Sequence, residues 1–158
     1  MTTIKTRIQF FQRGGDKNHS AMDNAARWAI GQLMSTRLAN TLTIKVKFRA
    51  TGLDDSTMGC VSPDQLSGSK APREFTIIIQ RDVGYRQQLS TLFHELTHIQ
   101  QLASSRLQMR QWKSDGQLHF RWERQELGTP SQNPYYTRPW EVEARSKQKQ
   151  LMARWFTC

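Results

Sequence analysis

One apolar stripe constrains the fold of this chain more than any other feature, because it predicts a long buried helix over residues 85–106. Apolar side chains recur there at spacings of three and four, which is the period of one face of an α-helix. They are Leu89, Leu92, Phe93, Leu96, Ile99 and Leu102. A helix with such a stripe buries it against other elements, so we expect this to be the central helix of the domain.

The central helix carries the motif His94-Glu95-Leu96-Thr97-His98. Residues four apart lie about one turn apart on the same face of a helix, so both imidazoles can bind one ion while Glu95 lies beside it. Neutral imidazole is a common ligand of Zn²⁺, and a catalytic zinc site has three protein ligands and an open position for water. The motif therefore predicts a zinc site, with Glu95 as the general base of a hydrolase.

The third zinc ligand has to come from outside the motif, and two segments offer one. Glu141 and Glu143 lie near the start of a predicted last helix. They are two positions apart, about 200° around a helix, so only one of them can face the ion. His119, in a segment predicted as loop or strand, is the competing ligand.

The motif followed by Glu141 and Ala144 resembles the gluzincin metallopeptidases, a group that includes thermolysin, the membrane-bound CAAX endopeptidases and ImmA-type enzymes. In the last two, the ligand glutamate stands three residues before an alanine, which maps onto Glu141. The thermolysin spacing maps onto Glu143 instead. The resemblance thus implies Glu141 as the preferred third ligand. These families often carry Asp or Asn four residues after the ligand, where this chain has Arg145.

A wider pattern resembles small metallopeptidase-like proteins encoded by tailed bacteriophages and covers roughly residues 75–156. It combines H-E-x-x-H-x-x-Q from His94 to Gln101, a Tyr-Tyr pair and a Pro-Trp-Glu-x-Glu-Ala segment. The resemblance implies a minimal zincin-like domain that acts on a protein or peptide, in the host cytoplasm if the chain is phage-encoded. Tyr135 and Tyr136, close in sequence to Glu141, are candidates to stabilise the oxyanion of the tetrahedral intermediate, with aromatic packing as the alternative for each, and we assign Tyr136 to this role.

The segments before the central helix predict a mixed architecture. Residues 19–39 have helical spacing, and residues 41–50 alternate as a half-buried strand does. Residues 51–73, rich in Gly, Ser, Asp and Pro, predict a long loop, and residues 75–80 predict a second strand. In zincins the strand before the metal helix commonly forms the edge of the cleft, so this second strand is a candidate for binding an extended peptide, and an interior strand is the alternative.

The segments after the central helix complete a single α+β domain over residues 1–158. Residues 107–136 contain two Gly and two Pro and predict loops with a short hairpin around residues 118–122. Residues 141–156 contain neither Gly nor Pro and predict a C-terminal helix. We therefore expect a minimal zincin-like domain with a small sheet, a central helix that carries the motif, and a C-terminal helix.

The charge of the chain bears on its partners. The net charge is +10, from 23 basic and 13 acidic residues, which predicts attraction to polyanions; we expect a solvated basic surface, with a nucleic-acid partner as the alternative. The two cysteines, Cys60 and Cys158, are too few for a disulfide framework and are predicted to be free thiols. The N-terminus shows no secretory signal and no apolar run is long enough to span a membrane, so we expect a cytoplasmic protein without a membrane partner.

Three functions remain open on the sequence. The leading one is a zinc-dependent peptidase with His94, His98 and Glu141 as ligands and Glu95 as base. The second is a zinc-binding protein that cleaves nothing, although a structural site has no use for a general base such as Glu95. The third resembles the SprT-like proteases, some of which act on DNA-bound proteins and use three histidines, and it would assign His119 as the third ligand.

Overall fold

The computed structural model of the chain describes residues 3–11, 19–49, 59–63 and 71–157, and it shows an α+β domain, as predicted. The helices are α1 His19–Leu33, α2 Thr36–Ala39, α3 Tyr85–Ala103 and α4 Pro139–Thr157. The strands are β1 Arg7–Phe11, β2 Thr43–Arg49, β3 Gly59–Pro63, β4 Glu74–Gln80, β5 Leu107–Gln111, β6 Leu118–Trp122 and β7 Gln125–Gly128. No helix in these ranges is long and apolar enough to cross a membrane.

A four-stranded sheet in the order β1-β2-β4-β3 forms the first layer. The strands β1, β2 and β4 are parallel, and β3 runs antiparallel to β4. Alternation along β2 buries Ile44 and Val46 on one face, where they join the buried residues of α1 and α3 in a single core. The same alternation places Lys45, Lys47 and Arg49 on the opposite face of the sheet.

The sheet corrects two expectations about its strands. The strand β4 is interior, because it pairs with β2 on one side and β3 on the other, so it has no edge to offer a peptide. The strand β3 lies inside the segment predicted as a loop. Gly59 and Pro63, at its two ends, are residue types typical of turns, so the sequence did not predict a strand there. The rest of that segment up to residue 70, and Cys158, lie outside the described residues, as does the side chain of Cys60.

A three-stranded antiparallel sheet, in the order β5-β6-β7, replaces most of the loop predicted for residues 107–136. The strands β6 and β7 are joined by a two-residue turn of Glu123 and Arg124, whose φ angles are 48° and 69°. Such hairpin turns usually contain Asn-Gly, so the sequence carried no recognisable turn signal. Arg106, between α3 and β5, stabilises this turn, since its Nε lies 2.7 Å from Glu123 Oε1.

Helix α4 packs along α3, and its first turn is anchored on the second sheet. Trp140 is buried, with its ring 4.7 Å from that of Phe120 and 6.0 Å from that of Trp122. Ala144 is fully buried, which allows a close approach of the two helices. The Trp140 anchor thus sets which face of α4 is turned towards α3 and the motif.

Candidate metal centre

The candidate metal centre consists of His94 and His98 on α3 and Glu141 on α4. His98 Nε2 lies 3.1 Å from Glu141 Oε1, and His94 Nε2 lies 3.2 Å from Glu141 Oε2. The two Nε2 atoms lie 3.2 Å from each other. Among the residues that the structure describes, this is the one group of three His, Cys, Asp or Glu side chains close enough to share an ion.

These separations fit a zinc ion in both chemistry and geometry. Two imidazoles and one carboxylate are a known ligand set of catalytic zinc. Ligand atoms at roughly 2.0–2.1 Å from a tetrahedral ion lie about 3.3 Å from one another. The two Nε2 atoms, 3.2 Å apart, are close to that value, and each of them lies 3.1–3.2 Å from a different oxygen of the Glu141 carboxylate. The centre therefore needs little rearrangement to accept the ion.

The two glutamates of α4 have different partners, as their spacing predicted. Glu141 is buried between the two histidines. Glu143 instead accepts two hydrogen bonds from Arg106, at 2.8 and 2.6 Å. Burial opposes the ionisation of Glu143, but hydrogen bonds from Arg106 and Gln101, together with the charge of Arg106, hold its pKa below the ordinary value. The helix thus turns Glu141, and not Glu143, towards the motif.

His119 has a separate environment. Its ring is stacked on that of Trp112, with centroids 3.7 Å apart and an angle of 6° between the planes. Its Nε2 lies 2.7 Å from Asp115 Oδ2, in the hairpin between β5 and β6. The structure therefore does not bring the alternative third ligand to His94 and His98.

Two glutamines hold the other ring nitrogens of the histidines. His94 Nδ1 lies 3.0 Å from Gln148 Oε1, and His98 Nδ1 lies 2.8 Å from Gln101 Oε1. Partners of this kind fix the orientation of a ligand imidazole. Neither glutamine was predicted as a site residue, although the helical spacing of each one gives a signal. Gln101 is three residues after His98, and Gln148 is seven residues, or two turns, after Glu141.

The electrostatics of the centre favour cation binding. Burial opposes the charge on Glu141, but hydrogen bonds with His94 and His98 outweigh it and hold the pKa of its carboxyl far below the ordinary value. Burial likewise opposes protonation of His98, while its hydrogen bond with Glu141 and the charge of that carboxylate raise its pKa. Both pKa shifts indicate that the Glu141 carboxylate stabilises positive charge at the position between the ligands.

Glu95 is buried beside the centre, and burial raises the pKa of its carboxyl. The charges of His98 and His94 oppose this effect, and that of Glu141 adds to it. Burial thus makes the Glu95 carboxylate more basic than an exposed glutamate, as a general base requires.

The two candidate tyrosines, Tyr135 and the assigned Tyr136, lie in the turn before α4, and both are exposed. Desolvation and then the negative charge of Glu141 raise the pKa of Tyr135 to about 12, although its side chain is 57 % exposed. Tyr136 is 72 % exposed, and its ring lies under the Arg145 guanidinium, 4.0 Å away. Arg145 also donates a hydrogen bond to the Tyr136 carbonyl. Arg145 therefore holds the turn Tyr135–Thr137, which precedes α4.

Comparisons with known proteins give this chain no relative. No family model, no curated protein and no solved structure matches it. The function of the chain therefore has to be inferred from the geometry of the metal centre and the residues around it.

Proposed function

We propose that the chain is a gluzincin-type, zincin-like metallopeptidase that binds Zn²⁺ through His94, His98 and Glu141 and cleaves a protein or peptide. The observation that carries the proposal is the convergence of His94, His98 and Glu141 beside the buried Glu95, with each imidazole Nε2 3.1–3.2 Å from an oxygen of the Glu141 carboxylate. A Zn²⁺ ion in this centre would lower the pKa of a bound water and polarise a peptide carbonyl.

Glu95 has the properties of the proton carrier in this reaction. Its carboxylate is buried next to both histidines, and its raised pKa makes it a stronger acceptor of a water proton near neutral pH. The same carboxyl oxygen can then pass the proton to the leaving amine. A zinc site without a catalytic role would gain nothing from this buried acid, so Glu95 supports the peptidase over a non-catalytic zinc protein.

Tyr135 has the properties of an oxyanion donor. With a pKa of about 12, raised by desolvation and by the nearby charge of Glu141, its phenol stays protonated at neutral pH. A positioned O–H donor stabilises the negative charge that develops on the substrate carbonyl. We therefore propose this role for Tyr135, with Tyr136, the residue predicted from the sequence, as the alternative.

The edge of the first sheet offers a place for an extended substrate. Within the described residues β3 pairs only with β4, so its other edge has no strand partner. The strand β3 also packs against α3, the helix that carries the motif. An extended peptide can add to such an edge through main-chain hydrogen bonds. We therefore propose β3, in place of β4, as the strand that pairs with the substrate.

The SprT-like alternative has less support from the geometry. It requires His119 to bind the ion, and His119 is paired with Asp115 instead. The net charge of +10 is compatible with a polyanionic partner. The contacts among His94, His98 and Glu141 are no evidence for or against such a partner.

The test compares the zinc content and the hydrolysis of an unfolded protein for the wild type, His94→Ala and Glu95→Gln. We expect one zinc per chain in the wild type and none in His94→Ala. Glu95→Gln should keep its zinc and lose roughly 10²–10⁴-fold in rate, the usual contribution of a general base. Glu126→Gln is the matched control, because Glu126 lies exposed on β7.

Two results would contradict the proposal. A wild type that binds no zinc at neutral pH would remove the metal centre. A Glu95→Gln variant that is as active as the wild type would remove the catalytic role of Glu95. Zinc binding without any hydrolysis in the wild type would support the non-catalytic alternative.

A further inference from the structure

Gln101 is completely buried, and every polar group of its amide has a partner. Its Oε1 lies 2.8 Å from His98 Nδ1. Its Nε2 donates to the Trp140 carbonyl and to Glu143 Oε1, both at 3.1 Å. The amide therefore connects a proposed zinc ligand on α3 with the first turn of α4.

The partners of Gln101 permit only one orientation of its amide. The Trp140 carbonyl can only accept a hydrogen bond. Glu143 accepts two hydrogen bonds from Arg106, a paired geometry that only an ionised carboxylate can form, so it too is an acceptor. The NH₂ group of Gln101 must face these two acceptors, and its oxygen must then face His98.

This orientation determines the proton on the His98 ring. An amide oxygen can only accept, so His98 Nδ1 must carry a hydrogen to satisfy it. In a neutral imidazole with hydrogen on Nδ1, the lone pair is on Nε2. That atom is the one that lies 3.1 Å from Glu141 and 3.2 Å from His94 Nε2.

His94 lacks this constraint. Its Nδ1 faces Gln148 Oε1, and the NH₂ group of Gln148 donates to the Ser90 hydroxyl. A hydroxyl can donate as well as accept, so Ser90 would tolerate the reversed amide. The ring of His94 is therefore less strictly determined than that of His98.

We propose that Arg106, Glu143 and Gln101 form an orienting relay that fixes His98 in the form that binds the metal. The three are positioning residues, since none of them is a ligand. The inference rests on the proposed function, because the relay orients a ligand of the proposed zinc centre. It also gives Glu143 a role: that glutamate acts on the zinc site through the Gln101 amide.

The test measures the dissociation constant of zinc by competition with a chelator, without reference to catalysis. Gln101→Met, which keeps the side-chain volume and removes the amide, should weaken zinc binding roughly 10–100-fold, the usual effect of losing such a partner. Glu143→Gln should weaken zinc binding by a smaller factor. The new amide can donate as well as accept, so it no longer determines the orientation of the Gln101 amide. Gln88→Met is the matched control on the same helix, since the Gln88 amide donates only to the carbonyls of Gln80 and Arg81.

A double variant distinguishes a relay from independent effects. Gln101→Met combined with Glu143→Gln should bind zinc as Gln101→Met alone does, because residues that act in series are not additive. In the zinc-loaded wild type, a ¹⁵N-resolved imidazole spectrum should show the His98 Nδ1 proton protected from solvent exchange. That signal should be lost in Gln101→Met and retained in Gln88→Met.

The outcomes separate the relay from the metal centre. If the wild type binds zinc and Glu143→Gln binds it equally well, or if the two losses add, the relay is overturned and the metal centre stands. If the wild type binds no zinc, both are overturned. Should Gln101→Met fail to fold, Glu143→Gln still decides, because its side chain is only partly buried and its size is unchanged.

Discussion

The metal centre and the His119 site both place an imidazole within hydrogen-bond distance of a carboxylate, yet they differ in what surrounds the ring. His119 has a partner from its own hairpin, Asp115, at 2.7 Å and an aromatic ring across its face. His98 has a carboxylate from another helix on one nitrogen and an amide oxygen on the other. A short histidine–carboxylate distance alone is therefore weak support for a ligand, whereas partners on both ring nitrogens from separate elements support the proposed role of His98.

The largest expected effect is a difference in zinc content between two alanine variants. His98→Ala should remove zinc from the purified protein, because one of three protein ligands is lost. His119→Ala should retain one zinc per chain, because its ring contacts Asp115 and Trp112 and no member of the metal centre. Elemental analysis after dialysis against zinc-free buffer measures both. Loss of zinc in His119→Ala alone would reverse the comparison and favour the three-histidine alternative.

A smaller effect is expected at the tyrosine beside the metal centre. Tyr135→Phe should lower kcat by about 10²-fold and leave KM nearly unchanged, since an oxyanion donor acts mainly in the transition state. Tyr136→Phe is the control, because its ring is exposed next to Arg145 and should leave both constants unchanged. Steady-state kinetics on one peptide substrate measures the two variants. Equal rates for Tyr135→Phe and the wild type would remove Tyr135 from the reaction.

The smallest expected effect is a pH dependence of stability in the metal-free protein. The pKa of His98 is raised above its ordinary 6.5 in the folded chain. Its contribution is therefore fully present below pH 6.5 and is lost as the pH rises through the folded pKa. The free energy of unfolding, measured in urea with a chelator present, should fall over that range.

Two variants isolate the source of that pH dependence. His98→Ala should remove the His98 part of the fall in stability, and His119→Ala should keep it. An equal fall in the wild type and in His98→Ala would show that another group causes it.

The sequence predicted the helices and strands whose apolar pattern follows from one buried face. It did not predict elements that are bounded by turns or caps with unusual residues. The stripe of α3 and the alternation of β2 are direct consequences of one buried face, so both helix and strand were found. The strand β7 was missed because the turn at Glu123 and Arg124 that joins it to β6 lacks the usual glycine. The single helix predicted for residues 19–39 divides at Ser35, which caps α2 by accepting a hydrogen bond from the Leu38 amide.

The site was predictable to the extent that helical spacing determines it. The spacing of four residues predicted that His94 and His98 share one face of a helix. The spacing of two residues predicted that only one of Glu141 and Glu143 could face these histidines. The choice between Tyr135 and Tyr136 depends on the short turn before α4, whose orientation the spacing does not define. The role of Gln101 depends on partners from α4, which no local pattern reveals.

The placement of the ligands on two helices has a consequence for the folding of the whole domain. His94 and Glu141 are 47 residues apart in the chain, and the segment between them contains the entire three-stranded sheet. A shared ion would act as a cross-link that closes this loop, and on chain-entropy grounds such a closure restricts the unfolded ensemble by about 4 kcal/mol. The bound ion would therefore oppose the separation of α4 from α3, and its removal would weaken the closure of this 47-residue loop.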